Sequence, residues 1–135
     1  MKIWQGAAGL CINNRNEILM VLQGKPHEIK TWSIPSGQKN GDETFQECCE
    51  REVFEETGYR VEVLDEIYCK KREYGEWMAE VRYFHTKLIG GNRKIQDPDQ
   101  LIYDIAWKSA DEIRNIVLTY PEDRDFLMES LQKRR

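Results

Sequence analysis

Blocks of different hydrophobic periodicity follow one another along the chain. Residues 3–12 are small and apolar, Asn13-Asn14-Arg15-Asn16 is turn-prone, and residues 17–23 are largely apolar again. Two strands joined as a hairpin are expected there. Pro26 interrupts the polar stretch 24–30, and residues 32–37 read as a short extended piece ending in a loop. Thr44-x-x-Glu47 has the form of a capping box, and Gly58 stands where a left-handed C-terminal cap belongs. The segment between them is expected to be a helix. Residues 59–64 and 67–72 look like two strands, with Val61 and Val63 alternating against Arg60 and Glu62. A hairpin tip at 73–76 leads into a strand at 77–88 that places Trp77, Ala79, Val81 and Tyr83 on one face. A loop at 90–100 holds Asp97-Pro98-Asp99, and residues 101–107 form another strand. Ser109 or Asp111 opens a short helix, and Pro121 leads a last one over 122–133 that packs through Phe126, Leu127 and Leu131. The pattern predicts a mixed sheet packed between helices.

Composition narrows the class. The 135 residues contain no repeat or linker-like tract, so one domain over 1–135 is expected. With 40% hydrophobic and 33% charged residues the chain is globular in composition. A formal net charge of −4 argues against binding nucleic acid by bulk charge. An acidic enzyme can still handle polyphosphates when metal ions offset the repulsion. The start of the chain lacks the apolar stretch of a signal peptide, and the clean apolar run at 18–22 is too short to span a bilayer. The four cysteines (Cys11, Cys48, Cys49 and Cys69) make no Cys-x-x-Cys, and His27 and His85 are the two histidines. Reduced thiols in a cytoplasmic protein are expected, rather than a zinc site or disulfide framework. Cys48 and Cys49 read as small core fillers of the helix, and the two histidines as surface or structurally satisfied groups.

The chemistry is concentrated between Gly37 and Tyr59, GQKNGDETFQECCEREVFEETGY. On a helix, Glu52, Glu55 and Glu56 fall within roughly a 100° arc of one face, where like charges repel by a few tenths of a kcal/mol per pair. A structural role does not require that crowding, whereas a hard divalent cation does, since Mg²⁺ favours a few carboxylates together with water and phosphate oxygens. The stretch resembles the signature of the Nudix hydrolase family (MutT-like), G-x5-E-x7-R-E-U-x-E-E-x-G-U with U a bulky aliphatic residue. Gly37, Glu43, Arg51, Glu52, Glu55, Glu56 and Gly58 match its fixed positions and Val53 its first U, while Tyr59 is aromatic at the second. From this composition the seven fixed residues would coincide by chance with a probability on the order of 10⁻⁵.

The resemblance implies an α/β/α sandwich and Mg²⁺, with Mn²⁺ as a possible substitute, as cofactor. It implies that Glu55 and Glu56 are the main metal ligands, with Glu52 a further ligand or the base that prepares the attacking water. Arg51 and Glu43 would brace the loop and orient the carboxylates. Gly37 and Gly58 would provide backbone freedom. The main-chain carbonyl of Ser36 would be a further metal donor, at a position where the family often has glycine. Family members often take another acid from a loop before a Trp-bearing strand. Asp97, Asp99 and Asp104, ahead of Trp107, stand in that region, each with a second reading as a turn or surface acid.

Candidate substrate contacts carry two readings each. Lys70, Lys71 and Arg72 can meet phosphates or form a solvated strand end, and Tyr74 and Trp77 can stack a base or pack at a hairpin. Trp32 and Trp4 can line the cleft or belong to the core. The resemblance points to pyrophosphate cleavage of a small nucleotide, foremost a nucleoside triphosphate giving monophosphate and pyrophosphate. Dinucleoside polyphosphates, nucleotide sugars, RNA 5′ ends and a non-catalytic nucleotide-binding role are the alternatives. ADP-ribose is disfavoured, because the Pro that often follows the signature by about sixteen residues in that subgroup is absent around Tyr74-Gly75-Glu76.

Overall fold

The computed structural model describes residues 2–95 and 100–133. Its strands are β1 (Lys2–Cys11), β2 (Ile18–Gln23), β3 (Thr31–Ser33), β4 (Ser36–Gln38), β5 (Tyr59–Tyr74), β6 (Trp77–Gly91) and β7 (Ile102–Lys108). The helices are α1 (Phe45–Thr57), α2 (Ala110–Asn115) and α3 (Arg124–Lys133), the last preceded by a 3₁₀ turn at Pro121–Asp123. Asp97 and Asp99, the leading loop acids of the sequence reading, lie outside the described residues. No described helix is long and apolar enough to cross a membrane.

The expected layering of helices about strands is present, with the strands divided between two sheets. One has the order β4-β1-β6-β5 and the other β3-β2-β7. β1 and β2 are joined through the predicted Asn-rich turn, yet they do not form a ladder. They meet only at the bridge between Ile12 and Ile18 and then diverge, β1 running parallel to β6 and β2 antiparallel to β7. Both strands are buried on both faces, and alternate residues of each enter different cores. Ala7, Cys11, Leu19 and Val21 join Cys48, Cys49 and Val53 under α1. Ala8, Leu10, Ile18 and Met20 join Ile113, Leu127 and Leu131 under α2 and α3. A two-stranded hairpin has only one face to bury, so this two-sided pattern is better satisfied by strands in the middle of a sandwich.

The two strands expected at 59–64 and 67–72 are one long strand, β5, whose pairing with β6 shifts register between Val63 and Asp65 and again between Glu66 and Tyr68. These irregularities absorb the polar Asp65-Glu66 interruption and let the strand bend without ending. The tip at 73–76 is as expected, with Gly75 in the left-handed region at φ 60°. Ser109 caps α2 through its own capping box with Glu112, which settles the choice between Ser109 and Asp111.

Candidate active site

The motif helix is held at both ends by the groups its sequence announces. The Thr44 side chain accepts from the Glu47 amide at 3.0 Å, and the Glu47 carboxylate accepts from the Thr44 amide at 2.9 Å. At the other end Gly58 takes φ 81° and donates its amide to the Phe54 carbonyl at 2.8 Å. Cys48, Cys49, Val53 and Thr57 are buried against the core, which turns Arg51, Glu52 and Glu55 toward the loop after β3. Tyr59 fills its position by packing edge-on against Trp107, ring centroids 5.5 Å apart.

β4 brings that loop across the helix. Its pairing with β1 sets Ser36 opposite Ala8 and Gly37 opposite Ala7. The Ser36 amide donates to Glu56 Oε1 at 3.3 Å. A Cβ built on Gly37 would lie 1.9 Å from Glu52 Oε2, so the Glu52 carboxylate occupies space that any other residue at 37 would fill. Arg51 forms the hub. It grips Glu43 with two bonds of 2.7 and 2.9 Å, reaches Glu55 at 2.8 Å and Glu52 at 3.3 Å, and donates to the Gln38 carbonyl at 2.8 Å. The hydrogen bond from Arg51 holds the Glu43 carboxyl below its usual range. Glu52 behaves oppositely. Burial pushes its pKa up to about 7, Arg51 opposes the shift and Glu55 adds to it.

Glu52, Glu55, Glu56 and the Ser36 carbonyl are the hard oxygen donors here that could hold a divalent cation. The raised Glu52 pKa marks a carboxylate whose charge a cation would favour. As the side chains stand, no three Asp, Glu, His or Cys among the described residues converge closely enough to hold an ion, because Arg51 draws Glu55 and Glu52 toward itself.

Beside Ser36 and Gly37 opens a cavity of about 150 Å³. Trp4 of β1 lines one side, and Lys70, Arg72 and Tyr74 of β5 line another. Ala79, Val81 and Tyr83 of β6 form its floor, the shared face expected from their alternation, and Tyr120 and Glu122 close it. A larger depression of about 700 Å³ near Leu10, His85 and Ser130 contains no residue of the motif. The smaller cavity is lined by Ser36 and Gly37, the residues that Glu56 and Glu52 of the helix meet, and it is the candidate site.

The structure thus brings Lys70, Arg72 and Tyr74 to the cavity, and Trp4 with them. Trp77 and Trp32 do not line it. Trp77 sits at the hairpin mouth with the Lys2 ammonium 5.5 Å from its ring, and Trp32 is half-buried under the Lys108 ammonium at 4.2 Å. Asp104 pairs with Arg93 at the surface, and His85 faces Asp65. Tyr120 and Glu122 were not anticipated. As a residue before Pro121 and an acid in a helix first turn they carry ordinary capping explanations, and no local signal marks them as cavity walls.

A buried network fixes that wall. Lys70 donates to Asp123 at 2.9 Å and to Glu122 at 3.0 Å, and the Tyr83 hydroxyl donates to the other Asp123 oxygen at 2.9 Å. Lys70 is thereby a structural partner of the 3₁₀ turn rather than a free cation for phosphate. Replacing Asp123 by Ala should lower stability by about 2 kcal/mol, since it strands a buried hydroxyl and weakens a buried ion pair. Denaturant unfolding checks this, and a loss below about 0.5 kcal/mol would show the network to be incidental.

Three comparisons bear on this geometry. A protein named "Putative nudix hydrolase 1" from Caenorhabditis elegans is 30% identical over 112 residues, 80% of this chain and 29% of its own length. A Bacillus subtilis (strain 168) protein named "Putative 8-oxo-dGTP diphosphatase" is 30% identical over 87 residues, 64% of this chain and 55% of its own. The chain therefore spans little more than half, or less, of these curated relatives. Among solved structures, a NUDIX hydrolase from Nitrosomonas europaea superposes with a TM-score of 0.82 at 20% identity, covering 98% of this chain and 90% of that one; at that identity the likeness concerns the fold. The NUDIX domain model matches residues 4–129, a span that takes in β1, the capped glutamate helix and the turn that closes the cavity, and the chain belongs to the NUDIX domain family.

Proposed function

We propose that the chain is a pyrophosphohydrolase that requires a divalent cation, Mg²⁺ foremost. Its substrate in this reading is a nucleoside triphosphate, cleaved to monophosphate and pyrophosphate. The observation that supports the proposal is that Ser36 and Gly37, which line a small aromatic-walled cavity, also meet Glu56 and Glu52 of the motif helix. Phosphates next to the glutamates put an attached planar group within reach of Trp4 and Tyr120.

The cation would be held by Glu52, Glu55, Glu56 and the Ser36 carbonyl, where it supplies charge neutralisation and polarises the phosphorus under attack. Glu52 is a further ligand or the base in this reading, and its partly shielded carboxylate lies against Gly37 of the loop. Arg51 positions the set: tied to Glu43 and to the Gln38 carbonyl, it keeps Glu52 and Glu55 on the loop side of the helix. Among the described residues no histidine adjoins the motif glutamates or the small cavity, and direct attack by water is favoured in this reading over a covalent intermediate. Names of relatives point the same way, one of them being that of a nucleotide diphosphatase.

A substrate panel tests the proposal. Phosphate and pyrophosphate release is measured from nucleoside triphosphates, dinucleoside polyphosphates, nucleotide sugars and 5′-triphosphorylated RNA, with and without Mg²⁺ or Mn²⁺. Pyrophosphate from triphosphates, only in the presence of metal, is expected. Nucleotide binding without turnover under every condition would replace the enzyme by a binding module.

A further inference from the structure

The larger depression, of about 700 Å³, lies on the same strands as the candidate site but toward their other end. Leu10 and Ile12 of β1 line it, as Trp4 lines the small cavity, and His85 and Lys87 of β6 continue the row of Ala79, Val81 and Tyr83. Ser130 and Lys133 of α3 stand at its opposite side.

Its apolar part owes one wall to an irregularity in β5. Val63 pairs with Thr86 and Asp65 with His85, so the register passes over Leu64. An extra residue of this kind re-aims a side chain, a device frequent beside functional sites. Leu64 and Leu88 both line the depression and are 56% and 38% exposed, whereas Leu10 at its base is 1% exposed. Exposed leucines over a buried apolar base gain by being covered. The volume falls within the range of roughly 300–1,000 Å³ usual for small-molecule sites.

The rim sets Lys87 and Lys133 against one carboxylate, Asp65, which already faces His85 at 3.4 Å. Lys133 pairs with Glu129 at 2.9 Å, but both side chains are largely exposed, so the tie is weak. On a chain of net charge −4 this rim is locally cationic. The adjoining depression along α3 has the opposite character, with Glu122, Asp123, Asp125 and Glu129 in its lining. A negative group is thereby directed toward Lys87 and away from the start of α3.

We propose that the larger depression binds a free amphiphile with one anionic head, a medium-chain carboxylate in class. Its apolar body lies on Leu64, Leu88 and Leu10, and its head meets Lys87 and Lys133. A bilayer fits less well, because the buried Leu10 is out of reach of a flat membrane surface. The depression shares no lining residue with the small cavity, so this binding is independent of the proposed hydrolysis.

Decanoate, decanol and decyltrimethylammonium are titrated into the full chain, with backbone amide NMR shifts as the readout. Decanoate is expected to bind at least about tenfold more tightly than the cation. Its shifts should gather at residues 10–14, 64–65 and 85–88. Lys87→Gln is expected to weaken decanoate by about threefold or more while leaving decanol unchanged, and Leu64→Asp to weaken both by at least about tenfold. Both side chains are exposed, so each variant should fold, and either one serves if the other does not. Equal affinity for the three amphiphiles, no decanoate binding at millimolar concentration, or shifts centred on the small cavity would overturn the assignment. So would decanoate affinity unchanged in the folded variants, or binding to phosphatidylglycerol vesicles in place of decanoate.

Discussion

Replacing Glu56 or Glu55 by Gln is expected to cut turnover at least about a hundredfold while the protein stays folded. The substitution is isosteric. At Glu56 the amide oxygen can still accept from the Ser36 amide, now bonded at 3.3 Å, so the loop keeps its anchor. At Glu55 the same oxygen can still meet Arg51, now at 2.8 Å. What is lost is negative charge, which the backbone does not need and a divalent cation does. The thermal midpoint of either variant should therefore stay close to that of the parent, and relief of repulsion on a crowded helix face offsets part of any loss. The decisive measurement is the rate as a function of Mg²⁺ concentration, where both variants should be slow even at saturating metal. Near-parental rates in both would remove these residues from the metal site.

Gly37→Ala is the second change with a large expected effect, and it separates activity from stability. The new methyl would fall 1.9 Å from Glu52 Oε2 and 2.1 Å from its Cδ, far inside contact distance. The obstacle is the end of a flexible side chain, not backbone, so the fold can yield by swinging Glu52 away. The stability cost should be about 1 kcal/mol, at the lower end for overpacking. Glu52, however, can no longer occupy the place where it faces the loop, and a displacement of about an ångström at a reacting group is enough for a hundredfold loss. A folded Gly37→Ala protein with full activity would show that Glu52 does not work from its observed position.

The two substitutions lie in the part of the chain that could be read from sequence. The capping box at Thr44 and the cap at Gly58 are local, set by hydrogen bonds spanning three or four residues, and both are found in place. The error over β1 and β2 has the opposite origin. An Asn-rich turn between apolar runs is a sound local hairpin signal, but β1 pairs with β4 on one side and on the other with β6, more than seventy residues away. Only the burial of both faces of β1 could have hinted at it, and small residues such as Ala7, Ala8 and Gly9 hide that hint by being weakly hydrophobic. Half the cavity was equally obscure. Trp4 and Tyr74 could be named as aromatic candidates, whereas Tyr120 and Glu122 become visible only once the 3₁₀ turn is docked onto β5 by Lys70. Asp97 and Asp99 lie outside the described residues, and their role stays with the sequence reading.

The cavity takes one wall from the fourth residue and another from the hundred-and-twentieth, so its shape depends on the docking of segments far apart in sequence. Trimming by a protease after Leu118 would remove Tyr120 and Glu122 together with Leu127 and Leu131 of the second core, so this cavity wall and stability would be lost at once. A ligand that bound there would touch both segments and favour the intact fold, so it should slow digestion as its concentration rises.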